Sequence, residues 1–285
     1  MTELERQQIG ILHHPYKPES QPLALEIKRW LQQQEIPAWV RSTWDSAFVQ
    51  QQMPACRLLV VIGGDGSILR AARLAAPHHV PLYSINMGRL GFLSEAQPEA
   101  WTDKLVAILA GKHWIEERLM LIGEVYRDGQ SIARRVALND LVVSRGTQAR
   151  VLRLELFVNG DHVTRYVADG VIAATPTGST AYALAAGGPI LPPALLNYLV
   201  VPVAPHLSLD RALVLHQEAV VTIEVAMDHE ATLTADGQDD TVNLHNGDRV
   251  IVRKNAFLSR FARVGNASYF YRRLMERLHL EVEPQ

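Results

Sequence analysis

A single cysteine, Cys56, stands in 285 residues. No internal disulfide can form, which favours a reducing compartment and leaves Cys56 as a small core residue. Long apolar runs are also missing, since no segment approaches the roughly 18 consecutive apolar residues that a membrane span needs. The opening MTELERQQIGILHHP is charged and polar before one short apolar stretch, unlike a secretory leader. The expected setting is the cytoplasm, with no membrane partner. Surplus charge of one sign is equally absent: 28 Lys+Arg face 30 Asp+Glu, a formal net charge of -2. That balance excludes a polyanion binder, so no nucleic-acid partner is expected. What is there, 48% hydrophobic and 20% charged residues, describes an ordinary globular chain whose length suits two domains.

Two phosphate-binding motifs are lacking as well. The stretch VVIGGDGSILRAAR, Val60 to Arg73, has neither the G-x-G-x-x-G of a dinucleotide fold nor the Lys of a GxxxxGK loop. It is nevertheless an apolar strand, a glycine-rich turn and the start of a helix. As plain structure it is a tight turn whose Asp caps a helix beginning near Ser67 or Ile68. As a phosphate cradle it holds a contradiction, because the backbone N–H groups attract an anion that Asp65 repels. A unit charge pair roughly 4 Å apart is worth about 1 kcal/mol in water and about 4 kcal/mol at an effective dielectric of 20. Asp65 makes sense if a divalent cation lies between it and the phosphate, or if it takes a proton from the attacking group. Both alternatives point to phosphoryl transfer.

The first part of the chain alternates short apolar runs with helical patterns. IGIL, Ile9 to Leu12, reads as a strand, and Pro22 to Gln33 has Leu23, Ile27, Trp30 and Leu31 at helical spacing. RLLVVIGG is a buried strand, ILRAARLAA a helix closed by Pro77, and Val80 to Asn86 the next strand. This β-α-β-α-β order predicts a parallel sheet flanked by helices. After a helix at Trp101 to Ala110 and a turn at Gly111, the texture becomes short alternating strands, with turns at Asp128-Gly129, Asn159-Gly160 and HNGD. Residues 1–115 are therefore expected as an α/β domain and 116–261 as a β-rich, sandwich-like one, with the helical 262–285 packing back on the first.

A second signal is ADGVIAATPTGSTAYALAAGGPILPP, Ala168 to Pro193. Pro176 and Gly178 make a turn, Ser179 or Thr180 can cap a short helix AYALAA, and Gly187-Gly188 can end it. Thr175, Thr177, Ser179 and Thr180, with Tyr182 close behind, exceed what one cap needs, and a polar ligand would use them.

GGDG alone resembles a superfamily that includes NAD kinases, diacylglycerol and sphingosine kinases and, more distantly, 6-phosphofructokinases. Together with NMGRLGFLSE (Asn86 to Glu95), LND (Leu138 to Asp140), DGVIAATPTGSTAYALAAGGPI and DGQ (Asp236 to Gln238), it resembles the NAD kinases, over about residues 9 to 270. TPTGSTAY is the discriminating part. The resemblance implies an N-terminal α/β domain, a β-rich C-terminal domain and a cleft that binds NAD. It also implies transfer of the terminal phosphate of ATP, with a divalent metal, Mg²⁺ expected, to the 2′-hydroxyl of the adenosine ribose. Family members are commonly dimers or tetramers, so a homo-oligomer is implied.

Carried over by motif, Asp65 matches the general base, Gly66 lines the substrate, and Arg70 lies near the phosphates. Asn139 and Asp140 match the pair that binds ribose or adenine, and Arg150 falls where a basic residue contacts the ligand. Asp169 matches the acidic residue of the DG element. Thr177 and the run Thr180, Ala181, Tyr182, Ala183, Leu184 and Ala185 match the hydroxyl-rich nucleotide contact, and Gln238 the last polar one. No residue is assigned as a metal ligand. The chain departs from the family pattern at Ser67, more often Thr, at Asp140, more often Glu, and at Val167, often basic, where Arg165 could substitute.

Other features read as structure. His13-His14 and His78-His79 point in different directions and lack acidic or Cys companions at ligand spacing. His206, in the Pro-x-x-Pro-His element, orients a loop. Arg272, Arg273 and Arg277 read as one solvated helical face. Two other readings compete: a lipid or sugar kinase sharing only GGDG, and a non-catalytic nucleotide sensor.

Overall fold

The computed structural model describes residues 7–88, 91–146, 150–206, 209–227, 230–238, 240–266 and 268–277. The chain divides into two compact units: one runs up to Glu117 and resumes at Ser259, the other covers Arg118 to Leu258.

In the first unit, strands Gln8–His13, Ala38–Ser42, Cys56–Gly63 and Leu82–Asn86 pair in parallel. Their sheet places Ala38–Ser42 at one edge, then Gln8–His13, Cys56–Gly63 and Leu82–Asn86, and continues through Ser259–Arg263 to Trp114–Arg118. Strand Cys56–Gly63 is central and buried along nearly its whole length, as a strand covered on both faces should be. Leu58, Val60 and Ile62 join Leu23, Ile27 and Leu31 of helix Ser20–Gln33 and Leu105 of helix Trp101–Leu109 in one core. Each such side chain contributes about 1.5–3 kcal/mol by leaving water. The edge strand Ala38–Ser42 and the helix Ser46–Gln52 extend the expected order by one further α-β step. They escape a reading of hydrophobic pattern because the strand is five residues long and buries none of them fully.

The second unit is an antiparallel sandwich. One sheet orders Asp161–Ala168, Leu152–Val158, Val221–Val225, Arg249–Lys254, Leu121–Arg127 and Gln130–Ala137; the other orders Leu213–His216, Asn197–Val203, Gly170–Ala174, Asp140–Arg145, Ala231–Ala235 and Val242–Leu244. The expected turns Asp128-Gly129 and Asn159-Gly160 are hairpins, with all four residues at positive φ, the twist that joins right-handed strands, whereas HNGD joins strands of different sheets. Alternate residues of the two sheets, among them Val125, Leu141, Val143, Leu154, Val171, Val221 and Val250, form the common core. The intervening Val142 and Ile172 face the other way, onto Ala183 and Leu191. Thus the two central strands are covered on both faces. Strand Asn197–Val203 contains Pro202, which masks it in the sequence.

Candidate active site

Strand Cys56–Gly63 delivers the glycine turn and helix Asp65–Ala75 leaves it. The helix cap is Gly64, with extended backbone, and the N–H groups of Ser67 and Ile68 donate to its carbonyl at 3.0 and 3.3 Å. Asp65 is therefore the first helical residue rather than the cap, and the helix starts before Ser67. Its charge sits where the macrodipole favours an anion by about 0.3–1 kcal/mol.

The surrounding glycines each have a distinct reason. A Cβ on Gly63 would stand 2.5 Å from Ser67 Oγ, whereas one on Gly66 would meet nothing within 4 Å among the described residues. A Cβ on Gly91 would stand 2.2 Å from Asp65 Oδ1. The Gly91 backbone is thus one wall of the Asp65 carboxylate, and Met87 N–H donates to Gly63 O at 3.3 Å. GGDG and NMGRLG, separate in sequence, are one structure; Arg89 and Leu90 of the second motif lie outside the described residues.

Arg70 follows Asp65 by five residues, about 140° round the helix axis. It does not share the carboxylate's face, and its guanidinium lies 4.7 Å from the Trp44 ring centre. The sequence reading missed Lys17, whose Nζ is 3.8 Å from where a Gly64 Cβ would be. His14 is also beside the turn, with its pKa lowered by burial first, then by Lys17 and His13.

In the second unit, Asp236 of DGQ organises the LND segment. Its carboxylate accepts the N–H groups of Leu138 at 3.2 Å, Asn139 at 2.7 Å and Asp140 at 3.4 Å. Asp236 N–H donates in return to Asp140 O at 2.9 Å. TPTGST packs onto the same segment. Thr175 Oγ1 donates to Leu138 O at 2.5 Å, Thr175 N–H to Asn139 O at 2.8 Å, and a Cβ on Gly178 would stand 2.1 Å from Asn139 O. LND, TPTGST and DGQ therefore converge.

Burial raises the Asp140 carboxyl to about 7, and the charge of Asp236 adds to the rise. The Asp140 side chain is held away from water, at 4% exposure. Most of the hydroxyls are not idle. Ser179 Oγ donates to Pro176 O at 2.7 Å and receives Leu191 N–H at 2.9 Å, while Thr180 Oγ1 donates to Thr177 O at 3.1 Å. Neither caps the helix Tyr182–Ala185, whose cap is Ala181 and which has no side-chain cap bond. Thr177 Oγ1 accepts from Arg118 Nη1 at 3.2 Å, and that arginine is 2% exposed. Arg118 gave no local signal in the sequence, since nothing adjacent to it marks a charge destined for burial.

The remaining residues differ in placement. Tyr182 is exposed, Ala181 and Leu184 are half-buried and Ala185 is exposed, while Ala183 is fully buried in the packing against Val142 and Ile172. Ala183 can meet a ligand only through its surroundings or backbone. Gln238 is half-buried, two residues beyond Asp236. Asp169 sits at the opposite end of the strand pair from Asp140, because Ala174 is opposite Asp140 and Gly170 opposite Ser144. Four residues of rise separate those ends, roughly 14 Å. Asp169 pairs there with Arg145 at 3.3 Å, and exposed Arg150 follows in the same connection. Arg165 is ion-paired with Glu155, and His206 N–H donates to Val167 O at 2.7 Å.

A glycine-rich turn that opens a helix offers backbone N–H groups to an anion, and Asp65 adds a carboxylate beside it. The family models match accordingly: the ATP-NAD kinase N-terminal domain over residues 32–113 and the ATP-NAD kinase C-terminal domain over residues 138–264. An NAD kinase of Chloroflexus aggregans is 37% identical over 275 residues, covering 96% of this chain and 99% of that protein. An NAD kinase of Heliobacterium modesticaldum is 40% identical over 270 residues, covering 92% and 95%. Among solved structures, yeast NADH kinase complexed with NADH superposes with a TM-score of 0.80 at 25% identity, covering 98% of this chain and 89% of that one. An NAD kinase from Archaeoglobus fulgidus in complex with ATP shares the fold, with a TM-score of 0.77 at 24% identity over 95% of this chain and 98% of that one. The chain belongs to the NAD kinase family.

Proposed function

We propose that this protein transfers the terminal phosphate of ATP, or of another phosphate donor, to the 2′-hydroxyl of the adenosine ribose of NAD, giving NADP, with Asp65 as general base. The observation that carries the base assignment is the position of Asp65: first helical residue of the glycine turn, with its carboxylate against the Gly91 backbone. As the new O–P bond forms and the donor's bridging bond breaks, the hydroxyl proton passes to Asp65. Positioning and charge neutralisation supply most of the catalysis in such transfers, and a general base adds about 10²- to 10⁴-fold. Gly66 leaves room for the substrate, and Lys17 supplies a cation beside the turn. Asn139, Asp140, Thr177, Thr180 to Ala185 and Gln238 are read as nucleotide contacts of the second unit. Arg70, Arg150 and Asp169 are assigned ligand contacts on the family pattern alone.

Among the described residues no cluster of three or more His, Cys, Asp or Glu side chains could cage a metal. A Mg²⁺ ion would be held largely by substrate phosphates, since this cation takes one or two carboxylates and keeps its other ligands elsewhere. The cation would neutralise charge on the phosphate oxygens. The reading includes a cytoplasmic setting and a homo-oligomer, dimer or tetramer. No described helix is long and apolar enough to cross a membrane.

Asp65→Asn tests the assignment. It keeps the size and removes the proton acceptor, so NAD should still bind by calorimetry while NADP formation, read through a coupled dehydrogenase, falls at least about 10²-fold. Near-normal turnover would remove Asp65 from the role.

A further inference from the structure

The first unit holds a cavity of about 220 Å³ bordered by the end of strand Ser259–Arg263, the helix Tyr269–Arg277 and Lys104, and lined by none of the residues assigned above. Its charges do not balance. Lys104, Arg263, Arg272 and Arg273 line it, against Glu95 in the lining and Glu116 beside it. The two carboxylates are already shared: Glu95 with Lys104 at 3.3 Å and Arg263 at 3.4 Å, and Glu116 with Arg263 at 2.8 Å and the Tyr269 hydroxyl at 2.7 Å. Arg273 donates to the carbonyl of Ser94 and is only half-buried, so the helix does not present all its arginines to solvent, as its sequence suggested.

Arg263 is 2% exposed. Its Nη1 donates to Leu93 O at 3.2 Å and Ser94 O at 3.1 Å, but its buried Nη2 finds no hydrogen-bond partner among the described residues. Folded proteins rarely leave a buried guanidinium N–H in that state without an ion or water to receive it. A water would satisfy the hydrogen bond and leave the charges of Arg272 and Arg273. The pKa of Arg273 is lowered, by burial first and by the like charge of Arg263 next, against the opposing pull of Glu95, Tyr269 and Glu116. An anion answers both needs.

Arginine forks match the tetrahedral oxygens of phosphate, and several of them together select it over a monovalent halide. A cavity of about 150 Å³ holds a benzene ring, so this one has room for phosphate bearing a small organic group. We propose that the cavity is a binding site for a phosphate group, carried either as inorganic phosphate or as a small phosphate monoester. The site does not depend on the kinase reading.

The test uses the full chain with NADP saturating, so that added phosphate does not report the nucleotide site. Calorimetry and melting curves compare inorganic phosphate, glycerol phosphate and chloride at matched ionic strength. One or both phosphates should bind and raise the melting temperature beyond chloride, and whichever does so names the source. Arg273→Gln should abolish the effect. Arg272→Gln, on an exposed side chain, should weaken binding at least about tenfold while melting like the parent in chloride; it decides the matter if Arg273→Gln fails to fold. Stabilisation no greater than that by chloride, or stabilisation undiminished in both variants, overturns the site.

Discussion

At Gly91 a methyl group would stand 2.2 Å from Asp65 Oδ1, far inside any tolerable contact. Gly91→Ala must therefore push the carboxylate aside or the backbone back, an overpacking that typically costs about 1–3 kcal/mol. We expect turnover to fall at least about tenfold with a lower melting temperature, measured by NADP formation and calorimetry; unchanged kinetics would separate Gly91 from the function of Asp65. Asp140 gives a different prediction. Its folded pKa, raised to about 7 from 3.8, means the folded protein holds a proton that the unfolded chain releases. The associated stability is complete below the unfolded value and is lost as pH rises through about 7. Asp140→Asn removes this loss, worth at most about 4 kcal/mol. Its melting temperature should stay flat between about pH 5 and about pH 8 where the parent declines. A parallel decline in both would clear Asp140.

The elements matter through their ends. Helix Asp65–Ala75 starts at the carboxylate because the extended Gly64 caps it, its carbonyl accepting the N–H groups of Ser67 and Ile68. In the second unit the short turn Gly178–Thr180 lies against the carbonyl of Asn139, and a Cβ on Gly178 would reach within 2.1 Å of that oxygen. The listener on the other side is backbone, which cannot swing away as a side chain can. Gly178→Ala should lower stability by about 1–3 kcal/mol in denaturant unfolding and weaken NAD binding through the displaced Asn139; full NAD affinity would show that the LND segment holds its place without TPTGST. These contacts also explain the uneven legibility of the elements. Hydrophobic pattern revealed the strand Cys56–Gly63 and the helix Ser20–Gln33, whose buried residues recur at regular spacing. It hid Ala38–Ser42, an edge strand with little burial, and Asn197–Val203, interrupted by Pro202.

For the whole molecule, each unit has a core of its own. Leu154→Ala, in the fully buried core of the sandwich, should cost about 2–5 kcal/mol. Hydrogen exchange should show the loss among amides of residues 118–258 and leave the sheet around Cys56–Gly63 protected; equal loss in both would mean that the units unfold as one. Local signals in the sequence determined the class of each half and the phosphoryl-transfer chemistry: glycine turns, alternating strands and an Asp in GGDG depend on neighbours a few residues away. Tertiary structure alone decided that Gly91 walls Asp65, that Asp236 gathers Leu138, Asn139 and Asp140, and that Arg118 is buried on Thr177. It also separated Asp169 from Asp140 by a strand's length and gathered Lys104, Arg272 and Arg273 with Arg263 around one cavity. Those contacts join residues tens of positions apart, and their energies come from desolvation and close approach, which exist only once the chain has folded.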